Sequence, residues 1–331
     1  MIDDQSLLPG RLLRRPGAPE PVKAFPGVQI DDPRLAEVLS PDAPLLLLYE
    51  GSLHAEGPVW VPARDRLFWS DVSNRRLLEW HPDGQVTVAI DGTYFMNGNA
   101  LDAEGRLIHC EHGRRCISRS NENGDVEPII THYQGKRLNS PNDLTVAADG
   151  AIWFTDPTFG VLMPSQGSLA EPELDHRSVY RFDPRTGDLR RMADFEEPNG
   201  LSFSPDGRTL YVSDTGLSLG EVPGDETGTT HEILAFDVAA DGTLSNRHLF
   251  YHTDHGYPDG FTVDERGWVW TSAADGIHII AADRTPLGYI PTTSICSNCT
   301  FGGPDMTRLF IAASDKLLAI DLRPRADKSL A

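Results

Sequence analysis

Six times along this chain one short pattern recurs: a polar residue, a spacer, an alternating apolar run, a Gly or Asp turn, and a second apolar strand. The repeats start at Glu56, Asn99, Asn142, Asn199, Asp259 and Cys299, at intervals of 43, 43, 57, 60 and 40 residues. A base period near 43 is the length of one four-stranded propeller blade. Each repeat reads as a hairpin. In the fourth, Leu201 and Phe203 alternate with Ser202 and Ser204, Pro205-Asp206-Gly207 turns the chain, and Leu210-Tyr211-Val212 returns. Stretches between repeats, such as Ser178–Asp183 and Glu232–Asp237, supply outer strands. The pattern predicts an all-β fold, a six-bladed β-propeller with a central metal site, spanning 45–322. A pair of β-sandwiches would leave six repeats in one register unexplained.

The two long intervals must hold insertions, and the turn-rich stretches 160–176 and 215–230 are where they fall. The apolar run Leu45 to Tyr49 precedes the first repeat. Pairing it with the last blade, beside Lys316–Asp321, would close the ring and cover an open sheet edge. Pro33 to Ser40 is the one stretch that reads as a short helix. Residues 1–44 are therefore expected to form a loose, solvated arm with that helix, and 323–331 a C-terminal tail.

The composition narrows the function classes. The net charge of −20 repels a phosphate backbone, so nucleic acid is an unfavourable partner. No run of about 18 apolar residues offers a membrane-spanning helix. The first residues, MIDDQSLLPGRLLRRPG, lack an apolar core of signal-peptide length, which points to a cytoplasmic protein, monomer or homodimer. Of the four cysteines, Cys110, Cys116, Cys296 and Cys299, the last two have redox or zinc spacing but no second paired motif completes a four-ligand set, and all four are expected to be reduced and mainly structural. The tryptophans at 60, 69, 153, 268 and 270 lie on strands and are expected in the core.

In a propeller, residues at one point of every repeat lie on one ring around the axis. That ring is read here as Glu56, Asn99, Asn142, Asn199, Asp259 and Cys299. Five of the six are carboxylates or carboxamides, donors that suit a hard divalent cation. Asn-Gly and Asp-Gly steps are also common turn signals. The turns of these hairpins, however, already fall at Asp149-Gly150, Asp206-Gly207 and Arg266-Gly267, at the other end of the strand.

Several motifs, in order, resemble the gluconolactonase, senescence-marker-protein and luciferin-regenerating-enzyme family. They are Glu56-Gly-Pro-Val-Trp, Leu138-Asn-Ser-Pro-Asn-Asp143, Phe154-Thr-Asp-Pro157, Asn199-Gly-Leu201, Tyr211-Val-Ser-Asp214, Pro258-Asp-Gly260 and Cys299-Thr-Phe-Gly-Gly303. Cys110-Glu-His-Gly-Arg-Arg115 is similar to the bacterial gluconolactonase branch. The resemblance spans about 45 to 320. It implies a six-bladed propeller with one catalytic divalent metal, expected to be Ca²⁺, with Mg²⁺, Mn²⁺ or Zn²⁺ as alternatives. By motif it carries metal binding onto Glu56, Asn199 and Asp259, and metal or substrate binding onto Asn142. Arg137 matches the family's substrate-contacting Arg only loosely.

The expected reaction is hydrolysis of a sugar lactone to its open-chain acid. The metal would polarise the carbonyl, and Asp259 is the candidate base. A cation beside Asp259 favours its charged form and weakens it as a base. Asn99 and His112 are candidate substrate contacts. Asp156 and Asp214, at the ends of second strands, read equally well as turn or blade-edge residues. Ser213 and Ser272 lack the glycines of a nucleophile elbow. The competing readings are an organophosphate or arylester hydrolase on the same fold, and a non-catalytic propeller scaffold.

Overall fold

The repeats become hairpins, and six antiparallel sheets stand in a ring in the computed structural model, which describes residues 10–121, 124–216 and 230–323. The inner strands are Ala55–Val61, Met96–Leu101, Leu144–Val146, Pro198–Phe203, Phe261–Val263 and Cys296–Gly302, one for each of blades 1 to 6. Each packs against the next, and the sixth packs against the first.

Why second strands such as Ile152–Asp156 and Thr209–Asp214 are apolar without a break follows from the blades' stacking. Each has a blade on both faces. Leu210 and Val212 join the cluster shared with blade 3, whereas Tyr211 between them joins the cluster shared with blade 5. Trp153 faces blade 4 while Ile152 and Phe154 face blade 2. The core is thus six apolar clusters, one at each blade junction. Trp69, Trp153 and Trp270 are fully buried in them, as expected of tryptophans on such strands. Cys110, Cys116, Cys296 and Cys299 are free and buried.

The ring closes as the sequence implies. Leu45–Glu50 pairs antiparallel with Lys316–Asp321, with Leu45 opposite Ile320. An early strand thereby completes the last blade. The expected helix runs from Pro33 to Val38, two residues shorter than read, with the Asp32 side chain accepting from the Arg34 N–H at 2.9 Å.

The arm departs from expectation. Its described part is not loose but stitched to three blades. Leu12–Arg14 adds to the outer strand of blade 1 (Val86–Asp91), Glu20–Pro21 to Leu45–Glu50 on blade 6, and Gln29–Ile30 to Pro286–Pro291 on blade 5. Backbone pairing of two or three residues needs no hydrophobic alternation, so the sequence carries little sign of it. Residues 1–9, most of the second insertion (217–229) and the tail from 324 lie outside the described residues. Among the described residues no helix is long and apolar enough to cross a membrane.

Candidate active site at the hub

The upstream ends of the inner strands converge on the axis, and the backbone there is drawn tightly together. The Gly98 N–H donates to the Asn142 carbonyl at 2.8 Å, and the Gly260 N–H to the Ser297 carbonyl at 2.6 Å. The glycines make this approach possible. A Cβ on Gly200 would stand 2.5 Å from the Asp259 carbonyl oxygen, and one on Gly260 would fall into the Asn298 amide at 2.1 Å. Neither glycine has a positive φ. The Asn-Gly and Asp-Gly steps therefore serve close approach around the axis, not turns.

This geometry fixes which residues share the ring: Glu56, Asn97, Asn142, Asn199, Asp259 and Ser297. The expected ring members Glu56, Asn142, Asn199 and Asp259 fall on it. Asn99 and Cys299 do not, and both lie two positions further along their strands. The Asn99 amide nitrogen is instead spent on the Gly57 carbonyl (2.7 Å), Ser70 Oγ (2.9 Å) and the Asn97 carbonyl (3.0 Å), and its oxygen faces His109 Nδ1 at 2.6 Å. It staples blade 1 to blade 2. Cys299 donates its thiol to the Trp270 carbonyl at 3.2 Å.

Glu56, Asp259 and Asn199 meet at the hub. Burial, then the charges of Asp259 and Asp143, hold the Glu56 carboxyl well above its ordinary range. Burial and the Asp143 charge raise Asp259, against a hydrogen bond from Asn199 that lowers it. The Asn199 amide also donates to Thr215 Oγ1 at 3.1 Å. Asn142 is buried at the blade 3 position.

Two further hub groups went unread in the sequence. Asp143 occupies the step after the ring, where blades 1, 2, 4 and 5 carry Gly57, Gly98, Gly200 and Gly260. Burial pushes its carboxyl up to about 7. Asn298 is the matching residue of blade 6. Its amide nitrogen lies 3.3 Å from both Glu56 Oε2 and Asp143 Oδ2, bridging the two. The signal was available: a carboxylate and an amide stand where the other blades have no side chain.

The donor set fits a hard divalent cation. The buried Glu56 and Asp143 and the half-buried Asp259 crowd one another, with Asp143 raising both of the others and Asp259 raising Glu56, and among the described residues no ion pair reaches any of them. That leaves a negative surplus which a cation would neutralise. No three His, Cys, Asp or Glu side chains of the described residues form a metal cage by themselves. A cation at the hub would lean on the Asn142 and Asn199 amide oxygens as well.

His112 follows the second strand of blade 2 and is fully buried. Its Nδ1 lies 3.0 Å from the Gln166 carbonyl, which can only accept, so Nδ1 carries the proton. Nε2 is then an acceptor, and among the described residues it has no partner. Burial pushes the ring down to about 4, so it is neutral at pH 7. Gln166 belongs to the first insertion, which opens with a short helix, Phe159–Leu162. From blade 3 the insertion reaches back over blade 2 to blade 1, where the Ser165 carbonyl accepts from Ser73 Oγ at 2.8 Å. Arg137 points elsewhere, to the Arg114 carbonyl at 2.5 Å.

Residues 54–315 match the family model described as SMP-30/Gluconolactonase/LRE-like region. The chain belongs to that family. A curated gluconolactonase of Zymomonas mobilis is 30% identical over 87% of this chain and 84% of its own length. Pentonolactonase XacC of Haloferax volcanii is 26% identical over 78% of this chain and 81% of its own. A solved gluconolactonase structure from Xanthomonas campestris superposes with a TM-score of 0.87 at 47% identity, covering 95% of this chain and all of that one. Membership of the SMP-30/gluconolactonase/LRE-like family places the chain among lactone-hydrolysing enzymes.

Proposed function

We propose that this protein hydrolyses the ring ester of a sugar lactone at the hub, with one divalent cation, Ca²⁺ foremost, held by Glu56, Asn142, Asn199 and Asp259. The observation that carries the reading is the meeting of Glu56, Asn199 and Asp259, from blades 1, 4 and 5, in one oxygen-rich site. Kinship with gluconolactonase and pentonolactonase supports an aldonolactone as substrate.

The bound cation supplies a Lewis acid that polarises the lactone carbonyl and lowers the pKa of water beside it. The residues do the rest. Glu56 and Asp259 bring the negative charge, and Asn142 and Asn199 add amide oxygens without further repulsion. Asp259 also orients the attacking water, and its carboxylate is ready to take a proton from it. His112 accepts a hydrogen bond from a substrate hydroxyl through Nε2. The Phe159–His176 insertion roofs the approach on that side and sets which ring fits.

Elemental analysis combined with proton-release assays on five- and six-membered lactones tests the reading. About one metal per chain is expected, with turnover lost on chelation and restored by Ca²⁺. Full turnover after stripping the metal would remove the cation from the mechanism.

A further inference from the structure

One recurring dipeptide has no part in the reaction proposed above. It occurs as Ser70-Asp71, Thr155-Asp156 and Ser213-Asp214, at the ends of the second strands of blades 1, 3 and 4. All six residues are buried, none more than 2% exposed. The two members of each pair grip different blades. The hydroxyl reaches forward to the next blade and donates to the carbonyl of its ring residue. Ser70 Oγ donates to Asn97, Thr155 Oγ1 to Asn199 and Ser213 Oγ to Asp259, each at 2.7 Å.

The carboxylate grips its own blade. It accepts from the two backbone N–H groups that lie three and two residues before the ring residue. Asp71 accepts from Leu53 (2.9 Å) and His54 (3.4 Å), ahead of Glu56. Asp156 accepts from Asn139 and Ser140, both at 2.9 Å, ahead of Asn142. Asp214 accepts from Glu196 (3.0 Å) and Glu197 (2.8 Å), ahead of Asn199.

The carboxylate half of these grips follows the expected ligands, while the hydroxyl half holds Asn199 and Asp259 and also Asn97, which is not an expected ligand. Blades 1, 3 and 4 carry Glu56, Asn142 and Asn199, and each has the full pair. Blade 5 has Ser272-Ala273, and Ser272 Oγ accepts from the Asp259 N–H at 3.1 Å. Blade 6, which offers no expected ligand, has Ala312-Ala313. Blade 2, likewise without one, has Cys110-Glu111, and Glu111 turns to Arg114 and Ser118. A merely structural blade staple would have no reason to favour ligand-bearing blades.

We infer that these Ser/Thr-Asp pairs are positioning residues: the carboxylates fix the lead-in to Glu56, Asn142 and Asn199, the Thr155 and Ser213 hydroxyls fix the carbonyls of Asn199 and Asp259, and each ligand is thereby held on at least one side and aimed at a shared cation. The inference rests on the cation reading above. At Asn199 the carbonyl is fixed from the neighbouring blade and the lead-in from its own, which leaves its Cα–Cβ direction little freedom; at Asp259 the Ser213 and Ser272 hydroxyls hold the carbonyl and the N–H. Sites of this kind must hold their groups to within about 0.5 Å, and partners behind the ligands are worth about 10–100-fold in metal affinity.

The test is calorimetric titration of Ca²⁺ into the full-length, chelator-stripped protein. Ser213→Ala removes only the hydroxyl that holds the Asp259 carbonyl. It is expected to weaken Ca²⁺ binding about tenfold, with the thermal midpoint in chelator nearly unchanged. Thr155→Val should do the same through Asn199. Ser213→Thr should retain affinity, because blade 3 already uses Thr there. Ser118→Ala, an equally buried hydroxyl that feeds no ring residue, should leave affinity unchanged. Unaltered affinity in both Ser213→Ala and Thr155→Val, with the parent chain binding Ca²⁺, would overturn the positioning role alone. A parent chain that binds no Ca²⁺ would overturn the cation reading and this one with it.

Discussion

The hub and the blade junctions are both buried, yet they are built on opposite principles. At a junction such as that between blades 6 and 1, Trp60, Trp69, Leu78, Phe310 and Leu317 pack together, and burial itself is the stabilising force. At the hub, burial works against the groups it encloses, because Glu56, Asp143 and Asp259 are each pushed towards their neutral forms. The ring of apolar junctions holds together a site that would not assemble by itself. Stability is stored between the blades and chemistry on the axis, so the two should separate under mutation.

The sharpest way to break that separation is at the hub. Asp259→Asn should lower turnover by about 10²–10³-fold or more, the scale of losing a group that stabilises the transition state. In chelator its thermal midpoint should hold or rise, since a repelling carboxyl is gone. Glu56→Gln should instead act mainly by weakening Ca²⁺ binding. Full turnover by Asp259→Asn would take Asp259 out of the reaction.

The junction should answer in the opposite way. Phe310 is fully buried and stacks on Trp60 at 5.8 Å between ring centroids. Phe310→Ala should cost about 3–5 kcal/mol in denaturant unfolding, with the Ca²⁺ affinity of the folded fraction unchanged.

A third test uses pH. Burial lifts Asp143 to about 7 from its ordinary 3.8. The native chain then keeps a proton that the unfolded chain releases between about pH 4 and 7, so stability should fall as pH rises through that window. The fall should appear in chelator, become shallower in Asp143→Asn, where Glu56 and Asp259 still contribute, and shrink with saturating Ca²⁺. A midpoint in chelator that climbs from pH 4 to 7 would contradict the polar, cation-starved hub. The smallest effect expected is at His112. His112→Phe removes one neutral acceptor and should raise KM about five- to tenfold while changing kcat less, in keeping with a single hydrogen bond of about 1 kcal/mol.

The blade count was readable because the period survives in the second strands, whose burial on both faces forces unbroken apolar runs. The ring was less readable because the inner strands are bulged at the hub itself. Pairing slips between Glu56 and Val59, between His109 and Glu111 opposite Met96–Asn99, between Pro198 and Leu201, and between Cys296 and Asn298. A bulge adds residues without changing the strand pattern on either side. Counting back from the strand therefore reached Asn99 and Cys299 instead of Asn97 and Ser297. Met96-Asn97-Gly98 repeats the Asn-Gly step of Asn199-Gly200 and was the better guide. Asp143 was missed for another reason: it stands at a level of the axis where four blades contribute glycine, so it shows only as a departure from the glycine at that step, not as a member of a polar pattern.

The N-terminal stitching has a consequence for crowding. By covering part of the outer edges of blades 1, 5 and 6, it replaces long edges with strands of two or three residues, too short for another polypeptide to zip onto readily. The other half of the rim is guarded by chemistry instead: Pro128 interrupts the edge of blade 2, Arg190 and Arg191 stud that of blade 3, and Arg247 and His248 that of blade 4. One semicircle resists aggregation by being full, the other by being unwelcoming.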